Sequence, residues 1–157
     1  MLGKVEGDDT DHHGHVTALT VAPEYRRLKL ASSLMDRLEA SSASPSHDGY
    51  FVGPLISWLS PPRPSRFRRL TRPPVHSLSC PQVDLFVRCN NALAIAMYEG
   101  MGYSVYRRVE GYYNGMGGGK DGEDAFDMRK ALPKDVDRRS VRPDGRLHRC
   151  KPEDVWF

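Results

Sequence analysis

Residues 19 to 31, which indicate the fold of this chain most clearly, read Leu-Thr-Val-Ala-Pro-Glu-Tyr-Arg-Arg-Leu-Lys-Leu-Ala. The run that leads into it, from His15 to Val21, is β-branched and largely apolar, which is typical of a buried strand. Beyond Pro23, apolar residues recur at positions 28, 31, 34, 35 and 38, a spacing that predicts a helix.

A strand that turns directly into a helix presents several unpaired N–H groups at one point. With the positive end of the helix dipole and two arginines, Arg26 and Arg27, that point can hold a diphosphate. The alternative is a helix whose basic first turn faces solvent. Spacing alone favours this alternative, because the chain has no glycine-rich loop of the P-loop or Rossmann type.

The rest of the chain alternates strand and helix patterns. Strands are predicted at 49–52, 83–87, 103–113 and 125–132, loops at 41–48 and 114–123, and a helix between the N-cap residues Asn90 and Asn91 and the terminating glycines Gly100 and Gly102. This order predicts an α/β or α+β fold, in which helices flank a mixed sheet that contains a crossover.

Length and composition indicate one soluble domain. The 157 residues are enough for a single core, and 39% hydrophobic with 27% charged residues is an ordinary balance. No apolar run approaches a membrane span, and the start has no signal-peptide core. Three cysteines without metal-ligand spacing predict free thiols in a reducing, cytoplasmic setting.

The segment from Gly53 to Gln82 differs from everything around it. It holds seven of the 12 prolines, five serines and five arginines, without an acidic residue or any strand or helix period. The net charge of +3 depends on it, since the rest of the chain has more acidic than basic residues. The charge is therefore weak support for nucleic-acid binding.

A second motif, Asn-Ala-Leu-Ala-Ile-Ala-Met-Tyr, runs from Asn91 to Tyr98. Seven residues are about two helical turns, so Asn91 and Tyr98 lie on one face of the predicted helix. A tyrosine hydroxyl there could donate a proton to a leaving thiolate. The alternative is a core tyrosine whose hydroxyl bonds within the protein.

Together the two motifs resemble the GNAT acetyltransferases. That family carries Arg/Gln-x-x-Gly-x-Gly/Ala and, later, Asn-x-x-Ala-x-x-x-Tyr, which are matched here at Arg26, Lys29 and Ala31 and at Asn91, Ala94 and Tyr98. Longer stretches resemble its NatB catalytic subunits: Gly-His-Val-Thr-Ala-Leu-Thr-Val-Ala-Pro-Glu-Tyr-Arg-Arg-Leu, Val-Asp-Leu-Phe-Val-Arg and Asp-Ala-Phe-Asp-Met-Arg-Lys-Ala-Leu. The resemblance covers residues 1–52 and 83–132.

The resemblance implies a GNAT fold and acetyl transfer from acetyl-CoA to protein N-termini that begin Met-Asp, Met-Glu, Met-Asn or Met-Gln. It implies that Tyr98 protonates the departing thiolate. The residues that it assigns to coenzyme A are Leu19, Thr20 and Val21 along the pantetheine arm, Arg26, Arg27, Lys29, Leu30 and Ala31 at the diphosphate, and Asn91 where the strands part.

On the peptide side, the resemblance assigns Tyr112 and Tyr113 to the first substrate residues, and His15 with Thr17 to the second residue. It also implies nascent chains, a large helical auxiliary subunit and the ribosome as partners, with no membrane and no nucleic acid. We expect no metal, because neither a cysteine nor an acid completes the triplet His12, His13 and His15.

Three features depart from the family. Lys29 stands where the family has the glycine that lets the backbone approach the diphosphate. Its ammonium adds a compensating charge for phosphate, so we expect weakened or altered cofactor binding. The segment 53–82 interrupts what is one strand in the family, and removing it restores that strand. We interpret it as a retained intron, with a genuine surface loop as the alternative.

The third departure is the beginning, because Met1 corresponds to a position inside the family's third strand. We therefore expect a fragment or truncated gene model that lacks one wall of the peptide groove and does not acetylate peptides as it stands. The predicted organisation is a partial GNAT domain at 1–132, interrupted at 53–82, followed by a charged tail at 133–157 that we expect to be poorly ordered.

Three other interpretations stay open. The chain could be a GNAT enzyme that acts on lysine or a small amine, although Tyr112, Tyr113 and His15 argue against it. It could be a non-catalytic interaction fragment, if the groove wall is missing. It could bind nucleic acid through the arginines of 53–82, although of the aromatic residues in this segment only Phe67 is interleaved with them.

Overall fold

The computed structural model describes residues 1–7, 12–44, 51–52, 80–113 and 122–155. In these residues the strands are β1 Leu2–Glu6, β2 His13–Ala18, β3 Phe51–Val52, β4 Gln82–Arg88, β5 Ser104–Tyr113, β6 Glu123–Ala131 and β7 Arg149–Cys150. The helices are α1 Leu30–Ala43 and α2 Ala92–Gly100, with short 3-10 turns at Pro23–Tyr25, Gly145–Leu147 and Pro152–Asp154.

The strands form one mixed sheet in the order β3-β1-β2-β4-β6-β5-β7. β2 pairs with β4 in parallel, and α1 lies between these two strands in the chain, as a parallel connection requires. β5 and β7 are also parallel, and the remaining neighbours are antiparallel. This is the mixed sheet with flanking helices that the sequence predicts.

Helix α1 lies close to one face of the sheet. Met35 and Leu38 are buried with Val83 and Leu85 of β4 in the hydrophobic core. Gly14 makes the close approach possible, since a Cβ there would lie 2.5 Å from Ser42 Oγ. The alternate residues of β2 and β4, including His13, His15 and Asp84, point to the opposite face.

The strand residues predicted before and after the proline-rich segment lie in different parts of the sheet. Phe51 and Val52 pair with Gly3 and Leu2 of β1 at the outer edge, whereas β4 pairs with β2 and β6. In this chain they are therefore two strands, separated by β1 and β2. Residues 53–79 lie outside the described part of the chain, as do residues 45–48 of the predicted loop at 41–48 and residues 114–121 of the predicted loop at 114–123. The first of these loop predictions is wrong at residues 41–43, because α1 continues to Ala43.

The segment after Leu132 is not the poorly ordered extension that the sequence predicted. β7 pairs with β5, the amide of Arg108 donates to the carbonyl of His148 at 2.7 Å, and Val155 is buried. Its charged residues and prolines suggested poor order, but Arg142 Nη2 donates to Tyr106 Oη at 2.9 Å. This C-terminal segment covers the edge of β5.

Among the described residues, neither helix is long and apolar enough to cross a membrane.

Candidate active site

The central feature is an opening between two parallel strands. β2 and β4 pair only from Gly14 to Val16 and from Val83 to Leu85. β2 then continues to Ala18 and β4 to Arg88, and β4 keeps its other partner, β6, up to Arg88 opposite Ala125. The two strands thus separate at their carboxyl ends and leave a space in the sheet.

The chain that leaves β2 borders this opening and leads into α1. Leu19 packs partly against the core, whereas Thr20 is exposed. Arg26 Nε donates to the carbonyl of Val21 at 3.1 Å, which holds the turn back against the strand end. The turn therefore brings the basic residues to the helix start.

The N-terminus of α1 has donors available for an anion. The amide of Ser33 donates to the carbonyl of Lys29 at 3.0 Å, and the amides of Leu30, Ala31 and Ser32 precede this first intrahelical bond. Within the described chain no side chain caps this helix. Arg26, Arg27 and Lys29 are exposed beside these amides, so partial and full positive charges coincide, as a diphosphate requires.

Two of these residues have left-handed backbones. Arg27 has φ 67° and Lys29, the N-cap residue, has φ 57° and ψ 19°. Glycine adopts this conformation freely, whereas a residue with a Cβ is strained in it. The turn geometry is thus a second reason, besides close approach to a ligand, for a glycine at position 29.

Tyr98 lies on α2 and is buried, with 8% of its surface exposed. Its ring meets that of Tyr103 edge-on at 5.9 Å. Burial raises the pKa of Tyr98, and Tyr113 raises it further. The hydroxyl is therefore protonated at neutral pH, as a proton donor must be.

Asn91 is the N-cap of α2. Its Oδ1 accepts a hydrogen bond from the amide of Ala94 at 3.2 Å, as the N-cap pattern in the sequence predicts. A contact of Asn91 with coenzyme A stays a prediction, and it would have to come from the remaining atoms of this residue.

An aromatic group lies where β4 and β5 end. Tyr112 stacks on Phe86 at 4.5 Å with the rings 7° apart. Tyr113 Oη donates to the carbonyl of Phe86 at 3.2 Å, and the Arg88 guanidinium lies 4.3 Å from the Tyr113 ring centre. Tyr113 also raises the pKa of Tyr98, so the aromatic group is close to the predicted proton donor.

The predicted substrate residue His15 belongs to a buried polar cluster. Its Nδ1 lies 2.8 Å from Asp84 Oδ1, and the other oxygen of Asp84 lies 3.5 Å from His13 Nε2. Glu6 Oε2 is 3.9 Å from His15 Nδ1. Thr17, two residues along the same face of β2, is exposed.

Sequence reasoning missed Asp84. The available signal was an acidic residue inside the apolar run Val83–Val87, because an acid within a buried strand needs a partner. The partner itself could not be read from the sequence, since His15 and Asp84 are 69 residues apart. The β2–β4 register brings these two residues opposite each other.

In the described ranges no group of three or more His, Cys, Asp or Glu side chains has an arrangement suited to a metal ion. His12 Nδ1 lies 3.4 Å from the carbonyl oxygen of Gly7.

Comparison with known proteins identifies the family to which the chain is similar. A sequence model described as "Acetyltransferase (GNAT) family" matches residues 1–49. The "N-terminal acetyltransferase B complex catalytic subunit NAT3" of Saccharomyces cerevisiae is 44% identical over 165 residues, which cover 100% of this chain and 68% of the relative. The "N-terminal acetyltransferase B complex catalytic subunit naa20" of Schizosaccharomyces pombe is 45% identical, with the same coverage of both chains.

Solved structures agree with these relatives. A crystal structure of Chaetomium thermophilum Naa20 in complex with a bisubstrate analogue matches with a TM-score of 0.70 and 34% identity, over 99% of this chain and 70% of that chain. A NatB complex bound to CoA and MES matches with a TM-score of 0.53 and 33% identity, over 83% of this chain and 62% of that chain.

The chain therefore belongs to the GNAT acetyltransferases, in the branch formed by the catalytic subunits of NatB. The resemblance indicated by the two sequence motifs is confirmed, and so is the α/β fold class. The roles of the individual residues stay predictions.

Proposed function

We propose that this chain transfers the acetyl group of acetyl-CoA to the α-amine of protein N-termini. The observation that carries the proposal is the opening between β2 and β4, which continues into the basic N-terminus of α1. An extended thioester fits between two separated strands, because their unpaired backbone edges can hydrogen-bond a pantetheine arm.

The residues around the opening suit acetyl-CoA as the acetyl donor. The amides of Leu30 and Ala31, with Arg26, Arg27 and Lys29, would hold the diphosphate. Leu19, Thr20 and Val21 would lie along the pantetheine arm, and Asn91 would contact it from the start of α2.

The reaction needs one nucleophile and one proton donor. The α-amine nitrogen attacks the thioester carbonyl carbon, a C–N bond forms and the C–S bond breaks. Tyr98 donates its hydroxyl proton to the departing thiolate, and the proton lost by the amine restores Tyr98 through solvent. The raised pKa of Tyr98 keeps this proton in place until the thiolate develops.

The residues proposed to contact the peptide favour substrates with a polar second residue. Tyr112 and Tyr113 would pack over the first residues of the peptide, since they line the end of β5 beside Phe86. His15 and Thr17 would contact the second side chain from the same face of β2. We therefore assign Met-Asp, Met-Glu, Met-Asn and Met-Gln starts as substrates.

The relatives are described as catalytic subunits of the B complex, and a solved NatB complex is described as bound to CoA. From these relatives we infer that the chain has a large auxiliary subunit as its partner. We also infer that it takes nascent chains at the ribosome as substrates and that it works in the cytoplasm. The sheet face that carries His15 would receive the peptide.

The test is an acetyl-transfer assay with acetyl-CoA, a NatB auxiliary subunit and peptides that begin Met-Asp, Met-Asn or Ser-Ala, or that carry an internal lysine and a blocked N-terminus. The chain is tested as it stands and joined to the part of yeast NAT3 that lies outside the aligned region. We expect transfer to the first two peptides by the joined form.

Transfer to the blocked lysine peptide instead would favour a lysine acetyltransferase. Loss of transfer in every form would overturn the proposal. Full activity of the chain as it stands would contradict only the sequence-based expectation of a missing groove wall.

A further inference from the structure

A cavity lies between the start of β5 and the C-terminal segment. Its volume is about 470 Å³, and its walls come from the end of α2, the start of β5 and residues 138–146. Ser104 of β5 pairs with Arg129 of β6, which pairs with Asp84 of β4, so the cavity is level with the part of β4 that still pairs with β2. It is therefore separate from the opening between β2 and β4, and β6 lies between the two sites.

The cavity has a fixed wall because the C-terminal segment packs tightly on β5. Gly145 is buried, and a Cβ there would lie 1.7 Å from the carbonyl oxygen of Val105, so only glycine allows this approach. On the other side, the carboxylate of Asp135 accepts hydrogen bonds from the amides of Arg139 and Ser140, both at 2.9 Å. The chain is thus held before and after the cavity residues, and the cavity is formed before any ligand binds.

The charged side chains that line the cavity are three arginines and one glutamate, namely Arg138, Arg142, Arg146 and Glu99. Three positive charges against one negative charge leave a net charge of +2. The glutamate is already paired, since Arg146 Nη2 donates to Glu99 Oε1 at 2.6 Å. Within the described residues neither Arg138 nor Arg142 forms an ion pair with a carboxylate. Two guanidinium groups therefore remain for an anion.

Arg142 is held in place by an aromatic contact. Its Nη2 donates to Tyr106 Oη at 2.9 Å, and its guanidinium carbon lies 4.1 Å from the centre of the Tyr106 ring. The Arg129 guanidinium carbon lies 3.7 Å from the same ring centre, and Arg129 Nη2 donates to Asp127 Oδ2 at 2.9 Å. A guanidinium has five N–H donors, so Arg142 keeps donors for a ligand after its bond to Tyr106. A ligand would thus meet an arginine that is already ordered.

Arg138 is exposed and has a strained backbone. Its φ of 52° lies in the left-handed region, which is unfavourable for a residue with a Cβ. Within the described residues its side chain has no hydrogen bond or ion pair that would hold it there. The other described residues with a Cβ and a positive φ are Arg27 and Lys29, which lie at the proposed diphosphate site. Strain of this kind is typical of ligand-binding positions.

The remaining lining residues are largely apolar. Tyr103 and Val105 of the β5 side are 3% and 5% exposed, and Val141 and Pro143 belong to the C-terminal segment. Small-molecule sites typically have volumes of about 300–1,000 Å³ and combine apolar walls with a few polar groups. The cavity meets both conditions.

We propose that this cavity binds a small organic phosphate. A phosphate monoester carries a charge of about −1.5 to −2 at pH 7 and has three terminal oxygens. It therefore suits two guanidinium groups that lack a carboxylate partner and a net charge of +2. A single carboxylate has one charge and compensates only half of this excess. The apolar walls would contact the organic part. The site is independent of the proposed acetyl transfer, and binding involves no covalent step.

The first experiment follows the arginine side-chain N–H signals of the whole chain by ¹⁵N NMR during titration with phenyl phosphate, inorganic phosphate or benzoate. We expect the Arg138 and Arg142 signals to shift, with phenyl phosphate bound about tenfold more tightly than either other probe. Its ring adds the apolar contact that inorganic phosphate lacks, and its phosphate adds the charge that benzoate lacks. No shift of either arginine, or shifts of Arg26 and Arg27 alone, would overturn the proposal.

Two outcomes of the titration concern the kind of ligand. Benzoate binding as tight as that of phenyl phosphate would overturn the phosphate assignment and favour an acidic side chain of a partner protein. A short phosphoserine peptide carries the same phosphate on a protein chain, and we expect it to bind more weakly, because its polar backbone does not replace the apolar contact. Tighter binding of the phosphopeptide than of phenyl phosphate would overturn the assignment to a small molecule.

The second experiment measures the affinity for phenyl phosphate in arginine variants. Arg138→Gln and Arg142→Gln should each weaken binding by about tenfold, because each removes a charged donor. Arg142 also contacts Tyr106, so Arg138→Gln, at an exposed position, decides the question if the Arg142 variant does not fold.

Arg139→Gln is the matched control for these variants. It removes the same charge from the same loop, but Arg139 is 85% exposed, pairs with Asp137 and does not line the cavity. Its affinity for phenyl phosphate should stay close to that of the wild type. Equal weakening in the Arg139 and Arg138 variants would mean that only the overall surface charge attracts phosphate, and the proposed site would be wrong.

Discussion

Lys29 combines a strained backbone with a charge at the start of α1. Its left-handed φ of 57° costs a residue with a Cβ about 1 kcal/mol or more, whereas its ammonium is the proposed partner of the phosphate. Lys29→Gly should therefore raise the free energy of unfolding by roughly 0.5–1 kcal/mol, after the greater freedom of glycine in the unfolded chain is subtracted. Urea denaturation measures this gain.

Lys29→Ala is the control, because it keeps the strain and removes the charge. It should not stabilise the chain. Titration with coenzyme A then separates the two effects. Weaker binding in both variants would mean that the Lys29 ammonium contacts the phosphate. Tighter binding in the glycine variant alone would mean that a side chain at position 29 keeps the backbone from approaching the diphosphate. Equal stability of the glycine variant and the wild type would contradict the strain argument.

Substitution of Tyr98 tests the proposed proton transfer to the thiolate. Tyr98→Phe should lower kcat by about two to four powers of ten with little change in acetyl-CoA affinity, because only the proton donor is removed. Tyr103→Phe is a matched control: it is buried beside Tyr98, but its hydroxyl donates to Glu39 Oε1 at 3.0 Å. Steady-state kinetics would contradict the assignment if both variants lost the same activity.

Asp124 holds the β5–β6 hairpin that carries Tyr112 and Tyr113, the two tyrosines proposed to contact the peptide. Its Oδ1 accepts from the amide of Gly111 at 2.8 Å, and its Oδ2 accepts from Arg108 Nε at 2.7 Å. The Gly111 amide, together with Arg108, lowers the pKa of Asp124 below its ordinary value of 3.8. A lowered pKa means that this carboxylate stabilises the fold above 3.8 and that the contribution is lost as pH falls through the folded-state pKa.

Asp124→Asn should therefore lower the free energy of unfolding by on the order of 1 kcal/mol at neutral pH, and the difference from wild type should shrink below pH 3.8. Chemical denaturation at several pH values measures it. Asp137→Asn is the control, since Asp137 pairs with Arg139 in full exposure and should change little. A difference that is independent of pH would refute the ionic explanation.

Elements with their own periodicity were predictable from sequence, and elements made by distant pairing were not. The apolar spacing of α1 predicts a helix, although the structure extends it to Ala43. The apolar run of β4 predicts a strand, which the structure lengthens by Gln82 and Arg88. β7, with two residues, has no pattern of its own and exists because it pairs with β5.

The residues of the candidate site likewise fall into those that local motifs predict and those that depend on distant pairing. Local motifs predict that Tyr98 lies on a helix and that a second helix begins after the basic turn, and the structure has Tyr98 on α2 and Lys29 at the N-cap of α1. The roles of these residues stay predictions. The Asp84–His15 bond and the contact of Tyr112 with Phe86 depend on the register between strands. A sequence without an alignment does not specify that register.

For the whole molecule, the strand that follows the proline-rich segment begins with a buried polar side chain, Gln82. Gln82 is 6% exposed, and within the described residues its Oε1 has no hydrogen-bond partner. A buried amide oxygen without a partner costs about 1–3 kcal/mol. Joining Val52 directly to Asp84, by deleting residues 53–83, would place Phe51 at this position and Val52 at the position of Val83.

We expect this deletion to raise the free energy of unfolding by about 1 kcal/mol or more, because it replaces the amide with an aromatic side chain and shortens a connection. Amide exchange provides a second readout. Phe51 and Val52 would move from the β1 edge into β4, so Leu2 and Gly3, their present partners, should lose protection.

Gln82→Val in the uninterrupted chain separates the two contributions to stability. This variant removes the buried amide but keeps residues 53–79, so it should reproduce part of the gain in stability without loss of protection at Leu2 and Gly3. Protection lost in the deletion alone would mean that the family's continuous strand can form once the segment is removed. If the deletion unfolded the protein while Gln82→Val was stable, the segment would be required for the folding of this domain. Its interpretation as a retained intron would then be wrong.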